Sequence, residues 1–288
     1  MSEQIPFFYE KGDGDSLKNK VLRVFTSALS FILAFILSNF LLQLLIALAC
    51  ISFKYHAKFT YTKIYGLPMD YHAWSRARII VIFFFMPIVC LIAGLLIFNF
   101  LRIGSRWAGV LRIFFFWLAI NLINLVITHM LLAPLGSASN SQNGLYQTFA
   151  VVGAWLFLDT PLLAVFAVLG LILALAFGML IRGEIMRYSY SQTLLRTEQG
   201  RGNIVFQVYL LPVLFGALPV LSLCTAYTFF TTGMELVTLF IISIGVFVIN
   251  SVGMAGVRCH KVDILNHYPY IEILACVLLW IGIFFFFR

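Results

Sequence analysis

The charged residues of this chain are separated by long apolar stretches, and their spacing predicts where the chain crosses a lipid bilayer. Crossing about 30 Å of hydrocarbon takes about 20 predominantly apolar residues of α-helix. Stretches of about this length or longer predict seven spans, near residues 24–53, 79–101, 113–135, 161–181, 204–230, 236–257 and 270–287. We therefore expect an all-α fold, a polytopic transmembrane bundle of about seven spanning helices.

Two of the apolar stretches are too long for one helix, and polar residues divide each of them into two. Residues 113–181 are interrupted at 136–144 by glycine, serine and asparagine, which are typical of loops. Residues 202–257 carry a single charge, Glu235, beside the sequence Thr231-Thr-Gly233. We therefore place the boundary between the fifth and sixth spans at this point.

Composition agrees with a protein that is surrounded mostly by lipid. The chain is 62% hydrophobic and 10% charged, with a mean hydropathy of +1.01. A soluble domain is typically about 45–50% apolar and about a quarter charged, so an ordinary soluble protein is excluded. We predict that residues 1–23 form a cytoplasmic N-terminal arm and that residues 24–288 form a single transmembrane domain. The connections are too short to fold alone, which excludes a separate catalytic or nucleic-acid-binding domain.

The distribution of lysine and arginine predicts the orientation. Thirteen of the 19 basic residues lie in the N-terminal arm and in the second, fourth and sixth connections. The opposite side holds six, five of them in residues 54–78, where they oppose the trend. Because basic residues are enriched on the cytoplasmic side, we expect the N-terminus inside and the C-terminus outside. The setting that we expect is a prokaryotic inner (plasma) membrane.

The third span carries four polar residues within three turns, namely Asn121, Asn124, Thr128 and His129. At about 100° per residue, the first three share one side of the helix and His129 lies at its edge. One interpretation is a polar cavity or a proton path inside the bundle. The other is interhelical hydrogen bonding, which membrane proteins use to hold helices together.

Asp159 lies in Leu158-Asp-Thr-Pro161, a sequence typical of the start of a helix. We expect it to cap the fourth span. The alternative is that Asp159 meets His129, because both fall in the outer half of adjacent spans, and so joins the candidate cavity. Residues 145–158, just before it, are apolar but too short to cross the membrane. They predict a short half-helix in the outer leaflet.

Small residues recur every four positions on the fourth span, at Gly170, Ala174 and Gly178. Such a face lets another helix backbone approach closely. The partner helix belongs to the same chain in one interpretation and to another chain in the other.

Prolines and a glycine predict kinks in two spans, at Pro87 in the second and at Pro212, Gly216 and Pro219 in the fifth. Proline removes a hydrogen bond of the helix and leaves a carbonyl without its partner. Transporters bind ions and substrates at broken helices, but proteins that transport nothing also contain them.

Metal and cofactor signals are weak. Three residues with helical spacing, His260, Asp263 and His267, could ligate a metal, but they match no zinc motif. The five cysteines form no C-x-x-C pair, and we interpret them as buried apolar residues. We predict no metal, no cofactor and no catalytic residue, and an enzyme is the function class that we favour least.

Two functions remain for such a chain. The first is a non-catalytic membrane subunit, an assembly or anchoring factor that acts through contacts with lipids and with other membrane subunits. The alternative is a small secondary transporter or lipid-handling protein with a polar cavity around Asn121, Asn124 and His129. Neither interpretation involves nucleic acid, and the sequence does not define an oligomeric state.

Overall fold

The computed structural model describes residues 17–56, 58–59, 64–65, 74–103, 109–138, 148–189, 195–224 and 228–248, with eight further positions between 270 and 282. Seven helices follow one another in these ranges: α1 (Leu17–Ser52), α2 (Arg76–Ile103), α3 (Gly109–Ala138), α4 (Phe149–Trp155), α5 (Thr160–Arg187), α6 (Glu198–Ser222) and α7 (Phe229–Val248). Between α1 and α2, the two-residue strands β1 (Lys58–Phe59) and β2 (Ile64–Tyr65) pair antiparallel.

Six of these helices are long and apolar enough to cross a membrane, which confirms the predicted all-α transmembrane bundle. They are α1, α2, α3, α5, α6 and α7. The seventh predicted span, residues 270–287, lies largely outside the described residues, and the eight positions described there are helical. Residues 1–16 of the predicted N-terminal arm also lie outside the described residues.

The boundary between α6 and α7 differs from the prediction. The helical chain ends at Ser222 and resumes at Phe229, so residues 231–233 and Glu235 lie inside α7 rather than between two spans. Thr231 and Thr232 are buried. The amide of Thr232 donates to the carbonyl of Thr228, and this hydrogen bond forms the first turn of α7. Threonine and glycine are weak helix formers, and tertiary packing overrides this preference here.

The third spanning helix, α3, is the centre of the bundle. Within its most apolar window 83% of the residues are buried, against 28% for α5. It packs against α1, α2, α5 and α7, and the short helix α4 also lies on it. Because these five helices surround α3, its polar side chains are buried against protein rather than exposed to lipid.

The packing face predicted on α5 contacts two helices of the same chain. A Cβ atom added to Gly170 would lie 3.1 Å from Cβ of Met130 and 3.3 Å from the carbonyl oxygen of Ile127, both on α3. A Cβ added to Gly178 would meet the backbone of α7 at Ile242 and Gly245. Between the two glycines, Ala174 is completely buried. This geometry supports the intramolecular interpretation.

One end of the bundle is rich in arginine. Helices α1, α3 and α6 begin there, and α2 and α5 end there; we call it the basic end, after Arg23, Arg112, Arg182, Arg187 and Arg201. The opposite end, where α4 lies and α7 begins, we call the far end. The basic end is the side of the bundle for which the distribution of lysine and arginine predicts a cytoplasmic location.

Candidate functional site

One face of α3 presents the polar groups of the third span to the interior. Trp117, Asn121, Asn124 and Thr128 follow each other at intervals of four, three and four residues, which places them in one stripe along the helix. All four are buried, and so is His129, which is rotated about 100° from Thr128. The structure therefore brings four of the five predicted cavity residues into the interior of the bundle.

A buried glutamate meets this stripe from α7. The Nδ2 group of Asn124 donates a hydrogen bond of 3.0 Å to the backbone carbonyl of Glu235. From α1, the Nδ2 group of Asn39 donates to the carboxylate oxygen Oε2 of Glu235, also at 3.0 Å. Glu235 is 3% exposed, so its carboxylate lies in the interior where three spanning helices meet.

Asn39 and Glu235 are the two site residues that sequence reasoning did not identify. Both carried a signal: Glu235 is the only charge in residues 202–257, and Asn39 is followed by Gln43 one helical turn later. The polar residues 231–233 led to Glu235 being placed at a boundary. The pairing of Asn39 with Glu235 joins residues 196 positions apart, which no local pattern reveals.

Short polar and sulfur-containing side chains surround Glu235. Thr231, Thr232 and Thr238 are buried on α7, and Cys224 precedes that helix. Burial raises the pKa of the Cys224 thiol, a hydrogen bond with Thr232 lowers it in part, and the charge of Glu235 raises it further. The thiol is therefore held in its neutral form beside the carboxylate.

Asp159 is placed apart from this site. It occupies the N-cap position of α5, as predicted, but its carboxylate makes no capping hydrogen bond and is exposed. Its backbone carbonyl accepts from the amides of Leu162 and Leu163 instead. Among the described residues, the structure contains no ion pair between Asp159 and His129. The sequence placed both residues in the outer half of adjacent spans, but only His129 faces the interior.

The predicted kinks coincide with local changes of helix type. A π-helical segment, Ile80–Phe85, ends just before Pro87, and a second one, Phe206–Leu210, ends just before Pro212. One turn after Pro212, Gly216 lies so close to Phe31 of α1 that a Cβ atom there would overlap the ring. Pro219 lies in the last turn of α6.

The carbonyl freed by Pro212 has a partner on α1. Proline has no amide to bond the carbonyl four residues before it, here that of Val208. The hydroxyl of Ser27 donates to this carbonyl at 2.9 Å and accepts from Nε1 of Trp117, also at 2.9 Å. Three helices are thus joined through one serine on the stripe side of α3.

The basic end holds a second buried glutamate, which sequence reasoning also missed. Nε and Nη2 of Arg112 donate to Oε1 of Glu184 at 2.9 and 2.6 Å, and Nη2 also donates to the carbonyl of Leu101. Nη1 of Arg187 donates to Oε2 of Glu184 at 2.9 Å. Both carboxylate oxygens of Glu184 therefore bind an arginine. Through Arg112, these hydrogen bonds connect α2, α3 and α5.

The described residues contain no group of three or more histidine, cysteine, aspartate or glutamate side chains that could hold a metal ion. The metal candidate considered from the sequence, around His260, Asp263 and His267, lies outside the described residues.

The fold and the site define a multi-pass α-helical integral membrane protein whose apolar interior contains a polar stripe and a buried carboxylate with neutral partners. The chain matches no known family model, no curated protein and no solved structure.

Proposed function

We propose that this protein is a small secondary transporter that couples solute movement to a cation bound at Glu235. The observation that carries this proposal is the environment of that carboxylate. It is buried inside a spanning helix, and its side-chain partner is the neutral amide of Asn39. Among the described residues, no basic side chain lies within ion-pair distance of it. Such a carboxylate carries either a proton or a bound cation.

The two buried glutamates, Glu184 and Glu235, differ in how their charge is compensated. Placing a charged side chain at the centre of a spanning helix costs about 2.5–3.5 kcal/mol on insertion scales. Glu184 lies at the end of the bundle and offsets this cost with two arginines. Within the part of the chain that the structure describes, Glu235 has no arginine or lysine partner, so binding and release of a cation is the role that best accounts for it.

The helices that pack around the site include irregular segments of the kind that transporters use. α6 contains a π-helical segment and two prolines, and it packs on both α1 and α7. Carbonyls that lack helical partners are the groups that transporters use to bind ions, and loosened helices can change shape. We further propose the orientation that the basic residues predict, with the basic end in the cytoplasm of a prokaryotic cell.

Transport is tested in liposomes that contain the purified protein and a trapped dye, which is pH-sensitive in the proton experiments and sodium-sensitive in the sodium experiments. Amino acids, sugars, nucleosides and short peptides are added outside, class by class, under an imposed proton gradient and then under a sodium gradient. We expect one class to accelerate cation entry in the wild type. The neutral variant Glu235→Gln keeps the shape of the side chain and should abolish the effect.

The matched control is Asp159→Asn, which neutralises an exposed acid outside the site. It should transport at the wild-type rate. If no solute class changes cation flux in the wild type, or if Glu235→Gln transports normally, the proposal is wrong.

A membrane subunit or assembly factor is the second candidate, and the outer face of α5 favours it. This helix is the least buried of the six spans, and its exposed positions from 161 to 180 are all apolar. Co-purification in mild detergent should then yield a stoichiometric membrane partner. The substitution Val168→Trp on this face should release the partner, whereas Ile92→Trp on the exposed side of α2 should not.

A further inference from the structure

Asn121 is a buried amide whose hydrogen-bonding groups are not satisfied. It is 2% exposed, and neither its Oδ1 nor its Nδ2 has a partner among the described residues. The Oδ1 atom of Asn124, one turn away, is in the same situation. Most buried polar groups in proteins do have partners, and internal water supplies them where the protein does not.

Asn121 lies between two groups of hydrogen-bonded polar residues. On the stripe of α3 it lies between two polar junctions: towards the far end, Asn124 bonds Glu235, and towards the basic end, Trp117 bonds Ser27. The rise from Asn121 to either neighbour is about 4.5–6 Å, a gap that a water molecule can bridge. The stripe is therefore a column of polar groups with Asn121 in its middle.

The groups that contact Glu235 favour a proton over a metal cation. Asn39 points an N–H group at the carboxylate, and Asn124 points one at the backbone carbonyl. Both donors direct hydrogens with partial positive charge at these oxygen atoms, which disfavours a sodium ion beside them. Of the titratable groups around the site, Cys224 is neutral, and no basic side chain of the described residues pairs with the carboxylate.

We propose that Asn121, with Oδ1 of Asn124, binds internal water through which Glu235 exchanges its proton towards the basic end. This inference rests on the proposed transport function and names its coupling ion. In the exchange, the O–H bond of the Glu235 carboxyl breaks as its proton passes to water, and the carboxylate takes up another proton from water. The water at Asn121 relays the proton, and Asn121 acts as a positioning residue.

The proton on Glu235 is observed by infrared spectroscopy, as the carbonyl stretch of a protonated carboxyl that disappears in Glu235→Gln. Transfer into deuterated water shifts this band, and the rate of the shift reports proton exchange. Asn121→Leu keeps the side-chain size and removes its polar groups. Losing the water's hydrogen bonds should slow the exchange by about tenfold.

Ser243→Ala is the matched control. Ser243 is buried on α7 outside the stripe, and its hydroxyl donates to the carbonyl of Phe240 in its own helix. It should exchange at the wild-type rate, as should Asn121→Ser, which keeps a polar group. If Asn121→Leu does not fold, Asn121→Val takes its place.

The outcomes separate the two proposals. If the wild type shows no carboxyl band that depends on Glu235, the residue holds no proton, and both the coupling ion and this pathway are refuted. If the band is present but Asn121→Leu and Asn121→Val exchange as fast as the wild type, this inference is wrong while the role of Glu235 stands. Slow exchange in Asn121→Ser as well would show that space rather than polarity matters, which also contradicts the inference.

Discussion

The hydroxyl of Ser27 donates to the carbonyl of Val208 at 2.9 Å, and this is the carbonyl that Pro212 leaves without a helical partner. A serine on one spanning helix thus replaces a hydrogen bond that a proline removes from another. Because the same hydroxyl accepts from Trp117, the proline-containing segment of α6 is fixed relative to both α1 and α3.

Ser27→Ala should destabilise the protein by about 1–3 kcal/mol, because it leaves two buried polar groups unpaired. Ser38→Ala is the control: Ser38 is equally buried on α1, but its hydroxyl bonds only a carbonyl of its own helix. Thermal unfolding in detergent should show little change for Ser38→Ala. Equal losses for the two variants would contradict the role given to Ser27.

Restoring a backbone amide at position 212 should make the stability of the protein depend less on Ser27. In Pro212→Ala the backbone amide is available again to the carbonyl of Val208, so Ser27→Ala should cost less in this background than in the wild type. A double-mutant cycle on unfolding free energies measures the difference. Strict additivity of the two substitutions would exclude the proposed coupling.

Gly178→Ala should destabilise the contact of α5 with α7 by about 1–3 kcal/mol, because even a methyl group overlaps the α7 backbone. Gly183 lies on the same helix and would place a methyl group in open space. Gly183→Ala should therefore be neutral or stabilising, since alanine favours the helix. The two variants are compared by their thermal stability in detergent. Equal effects of the two substitutions would contradict close packing of Gly178 against α7.

Glu184→Gln should be strongly destabilising, by about 3–5 kcal/mol, because it leaves the buried guanidinium of Arg112 without its counter-charge. Glu198→Gln removes an exposed acid near the same end and should change stability little. Unfolding of both variants in detergent provides the measurement. A small effect of Glu184→Gln would show that the ion pair is not needed for the fold.

Asp159→Ala should leave stability almost unchanged, because the carboxylate makes no capping hydrogen bond. Thr197 makes one at the start of α6, where its hydroxyl accepts from the amide of Gly200 at 3.1 Å. Thr197→Ala should therefore cost about 0.5–2 kcal/mol. If Asp159→Ala is the more damaging of the two substitutions, the side chain of Asp159 has a partner that the geometry does not indicate.

The path of the chain through the membrane was largely predictable from the sequence. Crossing a bilayer depends on the local run of apolar residues, so the six spans and the short helix α4 follow from hydropathy and spacing alone. The polar face of α3 was also predictable, because Asn121, Asn124 and Thr128 repeat with the period of a helix. These features need no knowledge of which helices touch.

The site itself was decided by tertiary structure. The sequence placed Glu235 at a boundary because threonine and glycine are weak helix formers, yet packing continues α7 through them. Asn39 becomes a partner of Glu235, and Ser27 of Val208, only because distant helices meet in the folded bundle. Inside a bilayer every buried polar group must find its partner within the protein or in internal water, and which partner it finds depends on the arrangement of the helices rather than on local sequence.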